Sequence, residues 1–262
     1  MKSPEKVEKY IVNWLRSYAE NSQIKGFVVG VSGGIDSAVT STLCALTGLP
    51  VLALEMPIHQ EKKQQSRAEE HLQWLNNKFS QVTPINMPLS TVFDAFTKML
   101  PKTDLESQQK LSLANTRARF RMATLYYFAA LHRYLVVGTG NKVEDFGVGF
   151  YTKYGDGGVD ISPIADLLKT EVFELAAHLG IAKSIQTAAP TDGLWDDGRT
   201  DEDQLGATYP EMEWAMQAVE KKQVEARMSE RQKKVLALYQ KHHKSNRHKM
   251  DPIPVCYIPG DL

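Results

Sequence analysis

The sequence predicts an α/β protein built on a doubly wound, Rossmann-type parallel sheet. Three observations support this prediction. Short apolar runs that suit buried strands alternate with helical segments, the first strand breaks into a glycine-rich turn, and that turn opens a helix. Strands separated by helices favour a parallel sheet covered on both faces. The chain of 262 residues contains no repeat and no evident linker. We therefore expect one domain over residues 1–262 with a helical C-terminal extension.

The elements follow one another in regular alternation along the chain. Apolar residues at helical spacing between Val7 and Tyr18 predict an N-terminal amphipathic helix. The predicted strands are Ile24–Val31, Val51–Met56, Val82–Met87 and Tyr134–Val137. The predicted helices between and after them are Ser37–Thr47, Lys62–Lys78, Pro88–Leu100, Asn115–His132 and Lys169–Leu179. Gly48, Pro101 and Gly180 are typical helix-ending residues.

Charge and composition limit the classes of function. Lys plus Arg and Asp plus Glu both number 31, so no charge excess points to nucleic acid or to an anionic membrane. No apolar stretch is long enough to span a bilayer, and the first residues lack the apolar core of a signal peptide. Cys44 and Cys256 are far apart in the chain, which predicts reduced thiols in a cytoplasmic protein.

The glycine-rich turn at Gly30–Ala38 has the composition of a phosphate-binding loop. Glycines let backbone N–H groups approach phosphate oxygens, and the following helix N-terminus favours an anion. The spacing fits neither the Walker A motif, whose lysine position is Asp36 here, nor the dinucleotide fingerprint. Because a carboxylate among phosphate ligands needs a cation between them, Asp36 indicates a divalent metal.

Two later loops carry further candidate residues. The segment Gly138–Asp145 follows a predicted strand directly, so it would meet the first loop at the carboxyl edge of the sheet, although by itself it fits a capped turn equally well. The segment Gly149–Ile164 is long, rich in glycine and charged, which suits a site better than a core. Lys169 at a helix N-terminus opposes the helix dipole and hints at an anion.

Taken together, these segments resemble the NAD synthetase family. Its members belong to the ATP pyrophosphatases of the adenine-nucleotide α-hydrolase-like group, and the resemblance covers nearly the whole chain from about Phe27. The matching stretches are Ser32–Ser37, Asn115–Met122, Gly138–Lys142, Phe150–Gly158, Ala189–Leu194 and His248–Lys249. The length leaves no room for the nitrilase-type glutaminase domain of the glutamine-dependent members, so the resemblance implies the short form, which takes free ammonia or ammonia from a partner.

The resemblance implies a two-step ligase reaction. The carboxylate of deamido-NAD (nicotinic acid adenine dinucleotide) attacks the α-phosphate of ATP, which releases pyrophosphate and forms an NAD-adenylate. Ammonia then displaces AMP and gives NAD. The implied cofactor is Mg²⁺, with ATP as co-substrate, and the implied assembly is a homodimer.

The resemblance also assigns roles to individual residues. The residues that would bind ATP are Gly30, Val31, Ser32, Gly33, Gly34, Ile35, Asp36, Ser37, Thr139, Lys169 and Thr191. Magnesium would be bound by Asp36 and Glu144. Deamido-NAD would be bound by Arg119, Lys153, Asp160, His248 and Lys249. Asp36 and Lys169 are the expected catalytic residues. Asp156 is our own catalytic hypothesis, because ammonium needs a group that binds it and accepts a proton.

Several points stay open at this stage. Asp156 suits a loop-holding role as well as a catalytic one, and the contacts to the adenine base near Met56–Gln60 are undefined. The acidic stretch 191–209 is expected to be a mobile loop that closes over bound substrates. The competing functions are another adenylating amidotransferase or a thiolase of the same loop group, and a non-catalytic nucleotide-binding module.

Overall fold

The computed structural model describes residues 3–191, 200–222 and 228–260. In this part of the chain, four parallel strands form a sheet in the order β3-β2-β1-β4. The strands are β1 (Phe27–Gly30), β2 (Val51–Glu55), β3 (Val82–Asn86) and β4 (Leu135–Val137). The helices are α1 (Pro4–Asn21), α2 (Ile35–Leu46), α3 (Lys62–Lys78), α4 (Ser90–Met99), α5 (Glu106–His132), α6 (Lys169–Leu179), α7 (Lys183–Gln186), α8 (Asp201–Leu205), α9 (Tyr209–Glu220) and α10 (Glu230–Met250). The predicted α/β class and doubly wound parallel sheet are confirmed.

Helices cover both faces of the sheet, because alternate strand residues are apolar on each side. Phe27 and Val29 of β1 pack in one core with α1, α2, α3 and α6. Val28 points to the opposite face and packs in a second core with residues of α4 and α5. Strand order reverses at β1, which lies between β2 and β4. Such a reversal opens a crevice at the carboxyl ends of the strands.

Some element ends differ from the sequence predictions for local reasons. Strand β1 begins at Phe27 rather than Ile24, because the Ile24 N–H still caps α1 through the Ala19 carbonyl at 2.9 Å. Helix α5 begins at Glu106 rather than Asn115. Its first turns are mostly exposed, so they show no apolar periodicity, although residues such as Glu, Gln, Lys and Leu favour helix.

The C-terminal extension forms a third core that supports one active-site loop. Helices α9 and α10 pack against a π-helix at Val143–Val148, which contributes Val143 and Val148 to this core. No periodicity in the sequence indicates this π-helix. Because π-helices accommodate one extra residue and are frequent at functional sites, this segment is a natural place to find site residues.

The cysteine thiols and the apolar character of the helices bear on two predictions made from composition. Cys44 is buried, Cys256 is exposed, and both are free, which confirms two unpaired thiols. Among residues 3–191, 200–222 and 228–260, no helix combines the length and the apolar character that crossing a membrane requires.

Candidate active site

The candidate active site is a cleft of about 250 Å³ at the carboxyl ends of β1 and β4. The glycine-rich turn after β1 and the loop after β4 form its two sides. All eleven residues predicted to bind ATP line this cleft, as do Glu144 and Asp156. Among these residues, Thr139 lies in the loop after β4 and Thr191 lies in the segment after α7.

The candidate phosphate loop, the glycine-rich turn at Gly30–Ala38, is shaped by contacts among its own small residues. Ser37 Oγ donates to the Gly34 carbonyl at 2.9 Å, and the Ser32 N–H donates to Ser37 Oγ at 3.2 Å. Gly33 has φ +79°, and a Cβ there would collide with the Gln64 carbonyl oxygen, so only glycine fits. Gly34 gives α2 an N-cap without a side-chain hydrogen bond. The first N–H groups of α2 can therefore serve an anion.

A charge cluster lies beside this loop. Lys169 Nζ is 2.5 Å from Asp36 Oδ2 and 3.1 Å from Glu144 Oε1, and the lysine is only 3% exposed. Burial by itself would lower the pKa of Lys169, but the charges of Asp36 and Glu144 outweigh it and hold the pKa above its ordinary value. The structure thus brings the predicted metal and ATP residues together across 133 positions of sequence.

Asn141 binds the Asp36 carboxylate and the backbone of Glu144. Its side chain is fully buried. The amide Nδ2 donates to Asp36 Oδ1 at 3.1 Å, while Oδ1 accepts the Glu144 N–H at 3.2 Å. The loop after β4 is therefore tied directly to the phosphate loop, which carries Asp36.

Tyr209 and Asp201 complete the cluster and were not singled out from the sequence. The Tyr209 hydroxyl donates to Glu144 Oε1 at 2.6 Å and lies 3.3 Å from Asp201 Oδ2. Burial, together with the charge of Glu144, raises the pKa of Tyr209. A tyrosine opening an amphipathic helix usually indicates core packing, so its sequence context gave no signal for this contact.

Two further acids face the cleft next to the cluster. Burial, with the charges of Glu144, Asp156 and Asp36, raises the pKa of Asp145 to about 8. Asp156 is open to the cleft, yet protein atoms surround it closely enough that desolvation raises its pKa against opposing backbone hydrogen bonds. The Thr152 N–H donates to Asp156 Oδ1 at 2.9 Å, so Asp156 also holds its own loop.

The residues predicted to bind deamido-NAD lie in the glycine-rich loop of residues 149–164 or contact it. None of the five lies among the residues that line the described cleft; they are Arg119, Lys153, Asp160, His248 and Lys249. Asp160 accepts hydrogen bonds from the Tyr126 hydroxyl at 2.9 Å and from the Val136 N–H at 2.8 Å. In this structure Asp160 therefore anchors the loop to β4.

The lysines of this group bind backbone carbonyls. Lys153 Nζ donates to the His248 carbonyl at 2.6 Å, and Arg119 reaches the Lys153 carbonyl at 3.3 Å. Lys249 Nζ donates to the carbonyls of Gly149 and Tyr151 at 2.8 and 2.7 Å. These bonds fasten the glycine-rich loop to the last turn of α10.

The segment after β2 and the acidic stretch 191–209 were left open by the sequence. Arg121 donates to the Met56 carbonyl at 3.0 Å and to Gln60 Oε1 at 3.1 Å, so it holds the segment after β2 against α5. Arg119, two residues earlier on α5, binds the Lys153 carbonyl instead. Residues 192–199 of the expected closing loop 191–209 lie outside the described residues. Its continuation forms the short helix α8.

Comparison with known proteins identifies similar sequences over most of the chain. A model of the family described as "NAD synthase" matches residues 7–252. The NH(3)-dependent NAD(+) synthetase of Carboxydothermus hydrogenoformans is 42% identical over 211 residues, which cover 80% of this chain and 83% of that protein. The protein of the same name from Archaeoglobus fulgidus is 36% identical over 256 residues, 97% of both chains.

Solved structures with the same architecture carry two different names. NMN synthetase from Francisella tularensis superposes with a TM-score of 0.82 at 34% identity, covering 98% of this chain and 99% of that one. NH3-dependent NAD synthetase from Campylobacter jejuni superposes with a TM-score of 0.78 at 27% identity, covering 97% of this chain and all of that one.

Proposed function

The chain belongs to the NAD synthase family, and we propose that it converts deamido-NAD into NAD with ATP and ammonia. The observation that carries this proposal is the cleft in which the phosphate loop, Asp36, Glu144 and Lys169 converge. The match over residues 7–252 supports treating the chain as one NAD synthase unit.

The first step is an adenylation that the charge cluster suits. A nicotinate carboxylate oxygen attacks the α-phosphorus of ATP, the bond to the β-phosphate oxygen breaks, and pyrophosphate leaves. Both reactants are anionic, so positive charge must balance them in the transition state. Lys169 sits where it can do so, and the N–H groups at the start of α2 are suited to bind the departing pyrophosphate. Positioning and electrostatics can supply most of the rate.

The donor set of the cleft fits magnesium. Asp36 and Glu144 offer hard carboxylate oxygens that already converge on a single Nζ atom. Across residues 3–191, 200–222 and 228–260, no cluster of three or more His, Cys, Asp or Glu could hold a metal alone. Phosphate oxygens and water would thus complete the shell. Bound Mg²⁺ would supply charge neutralisation for the phosphates.

The second step needs ammonia in its nucleophilic form. Ammonia attacks the activated carbonyl, the bond to AMP breaks, and AMP leaves as the amide forms. We assign Asp156 to bind ammonium and accept its proton, because its carboxylate faces the cleft beside Asp145 and Glu144. Its bond to the Thr152 N–H supports a loop-holding role as well.

An asparagine at position 156 separates these two roles. Asp156→Asn keeps an oxygen that accepts the Thr152 N–H but removes the negative charge, so we expect the KM for ammonium to rise about tenfold or more. Initial rates against ammonium concentration at fixed pH measure this. A KM and turnover equal to those of the unaltered protein would leave Asp156 with the loop-holding role alone.

A second candidate substrate is the mononucleotide. The Francisella tularensis structure is that of an NMN synthetase and resembles this chain along nearly its whole length. Amidation of nicotinate mononucleotide would use the same adenylation cleft, because the reacting carboxylate is the same. Only contacts to the distant adenylate half would distinguish the two substrates.

One assay decides between them. The protein is given ATP, Mg²⁺ and ammonium with either deamido-NAD or nicotinate mononucleotide, and pyrophosphate and the amide product are measured. A kcat/KM at least tenfold higher for deamido-NAD supports our proposal, and the reverse ratio assigns the mononucleotide. Amide formation with neither would move the chain to another adenylating amidotransferase activity.

We further propose that the chain forms a homodimer through α5. This helix carries Tyr127 and Leu131 on its outer side, 63% and 61% exposed, close to the apolar core residues of its inner side. Large exposed apolar side chains on one helix favour an interface. Analytical ultracentrifugation at micromolar concentration tests this, and a monomer under these conditions would refute it.

A further inference from the structure

Tyr209 contacts both Glu144 and Lys169 of the charge cluster. Neither the proposed reaction nor the sequence motifs give it a role. From these contacts we infer that Tyr209 is a positioning residue: its hydroxyl fixes Glu144 for the divalent cation, and its ring supports Lys169. The inference rests on the metal of the proposed function and deepens it. It does not depend on which nucleotide is amidated.

The hydroxyl holds one oxygen of Glu144. Tyr209 donates to Glu144 Oε1 at 2.6 Å, and Lys169 Nζ donates to the same oxygen at 3.1 Å. No donor within the described ranges binds Glu144 Oε2. Two donors on one oxygen fix the carboxylate plane and leave the second oxygen for a cation. Groups that orient metal ligands in this way typically change metal affinity 10–100-fold when removed.

The ring makes a separate contact. Lys169 Nζ lies 4.7 Å from the centroid of the Tyr209 ring, a distance at which the negative face of an aromatic ring attracts a cation. Because Lys169 is almost fully buried, this contact helps to keep its ammonium group in the cleft. Phenylalanine would preserve the ring contact and lose only the hydroxyl.

The backbone around Tyr209 is held firmly enough to fix this side chain. The Tyr209 N–H donates to Glu202 Oε1 at 2.9 Å, and the preceding Thr208 forms a capping box with Glu211. Glu211 in turn accepts two hydrogen bonds of 2.6 Å from Arg231 on α10. The ring therefore enters the cluster from an anchored helix start.

The hydroxyl also brings a third acid to the cluster. Asp201 Oδ2 lies 3.3 Å from the Tyr209 hydroxyl, and Asp201 is only 6% exposed. Since a phenol has one proton to donate, the shorter contact to Glu144 receives it. Asp201 lies near the same hydroxyl, so α8 is placed beside the Glu144 carboxylate.

The test compares three variants in direct metal binding. The full chain is titrated with Mn²⁺ in the presence of a non-hydrolysable ATP analogue, and free Mn²⁺ is measured by electron paramagnetic resonance. Tyr209→Phe removes the hydroxyl, and Tyr209→Leu removes hydroxyl and ring. Tyr239→Phe is the matched control, because Tyr239 is buried in the same core and stacks on His243.

We expect Tyr209→Phe to weaken Mn²⁺ binding 10–100-fold and to change the affinity for the ATP analogue less than threefold. Tyr209→Leu should also lower the affinity for the ATP analogue about tenfold. Tyr239→Phe should leave both affinities within twofold of the unaltered protein. Thermal unfolding of each variant verifies that it is folded, and if Tyr209→Leu is not, the two phenylalanine variants still decide the role of the hydroxyl.

Three results would overturn the inference. An Mn²⁺ affinity of Tyr209→Phe within twofold of the unaltered protein would leave the hydroxyl without a positioning role. Equal losses in Tyr209→Phe and Tyr239→Phe would indicate a general packing effect. If the unaltered protein bound no Mn²⁺, the metal assignment and this inference would fall together, whereas the amidation assay could still succeed.

Discussion

The charge cluster and the glycine-rich loop of residues 149–164 are held in place by different kinds of contact. In the charge cluster, which is the side proposed to bind ATP and is called the ATP side below, buried charged side chains bind one another, as in the contacts of Lys169 with Asp36 and Glu144. On the side of the glycine-rich loop, lysine side chains bind backbone carbonyls, as in the contacts of Lys249 with Gly149 and Tyr151. The first kind depends on side-chain identity at both ends, and the second at one end only.

This difference predicts unequal tolerance to substitution. Removing one member of a buried charge cluster leaves its partners buried and uncompensated, which costs several kcal/mol. Removing a lysine from a carbonyl leaves a neutral oxygen rather than an uncompensated charge. We therefore expect the ATP side to lose function abruptly and the loop side to change gradually, which would make the loop side the place where substrate preference can vary.

Lys169→Ala is the sharpest way to break the ATP side. The variant leaves Asp36 and Glu144 facing each other without their shared cation and removes a positive charge from the phosphates, so we expect kcat/KM for ATP to fall about 10²–10³-fold. Steady-state pyrophosphate release measures this. Lys233→Ala, which breaks only an exposed pair with Glu230, is the control. Equal rates in the two variants would contradict the assignment.

The helix that carries the phosphate loop should be sensitive to acid. His71 is 1% exposed and lies 2.9 Å from Ser41 of α2, and burial lowers its pKa from 6.5 to about 4. The unfolded chain therefore takes up a proton more readily, so the free energy of unfolding should fall by about 3 kcal/mol as pH drops from 6.5 to 4.

Denaturant unfolding at several pH values measures this loss. His71→Gln keeps a polar group near Ser41 but cannot take up a proton, so its unfolding free energy should fall less over the same pH range. Parallel curves for the two proteins would show that His71 does not cause the acid sensitivity.

Lys249→Met should have a milder effect confined to the loop side. It removes two hydrogen bonds to backbone carbonyls and loosens the loop from α10, so we expect the KM for the nucleotide substrate to rise about tenfold while the KM for ATP changes less than twofold. Lys244→Met, on the exposed surface of the same helix, is the control. A matching rise in both KM values would mean that the two sides are not independent.

The same division explains how much the sequence could predict. The parallel sheet, the phosphate loop and its meeting with the segment Gly138–Asp145 followed from apolar periodicity and from the rule that ligands bind at the carboxyl ends of parallel strands. A contiguous motif positions its own residues, so the Gly30–Ser37 loop could be interpreted locally. Lys169 was recognisable because it opposes the dipole of its own helix.

Other parts of the site have no local signal. Tyr209 reaches Glu144 only because α9 packs on the π-helix, and neither the packing nor the π-helix follows from periodicity. The carbonyl contacts of Lys153 and Lys249 depend on where α10 ends relative to the glycine-rich loop. Such contacts are set by tertiary placement, which no short motif encodes.

The bond between Asp36 and Lys169 has a consequence for how the chain is made. It joins residues 133 positions apart, and the bond between Asn141 and Asp36 joins residues 105 apart. During synthesis, β1 and α2 leave the ribosome long before α6 exists. Until then, Asp36 lacks its contact with the Lys169 ammonium group. Long-range contacts of this kind form slowly and late. Nascent chains shorter than about 170 residues should therefore lack the assembled cluster.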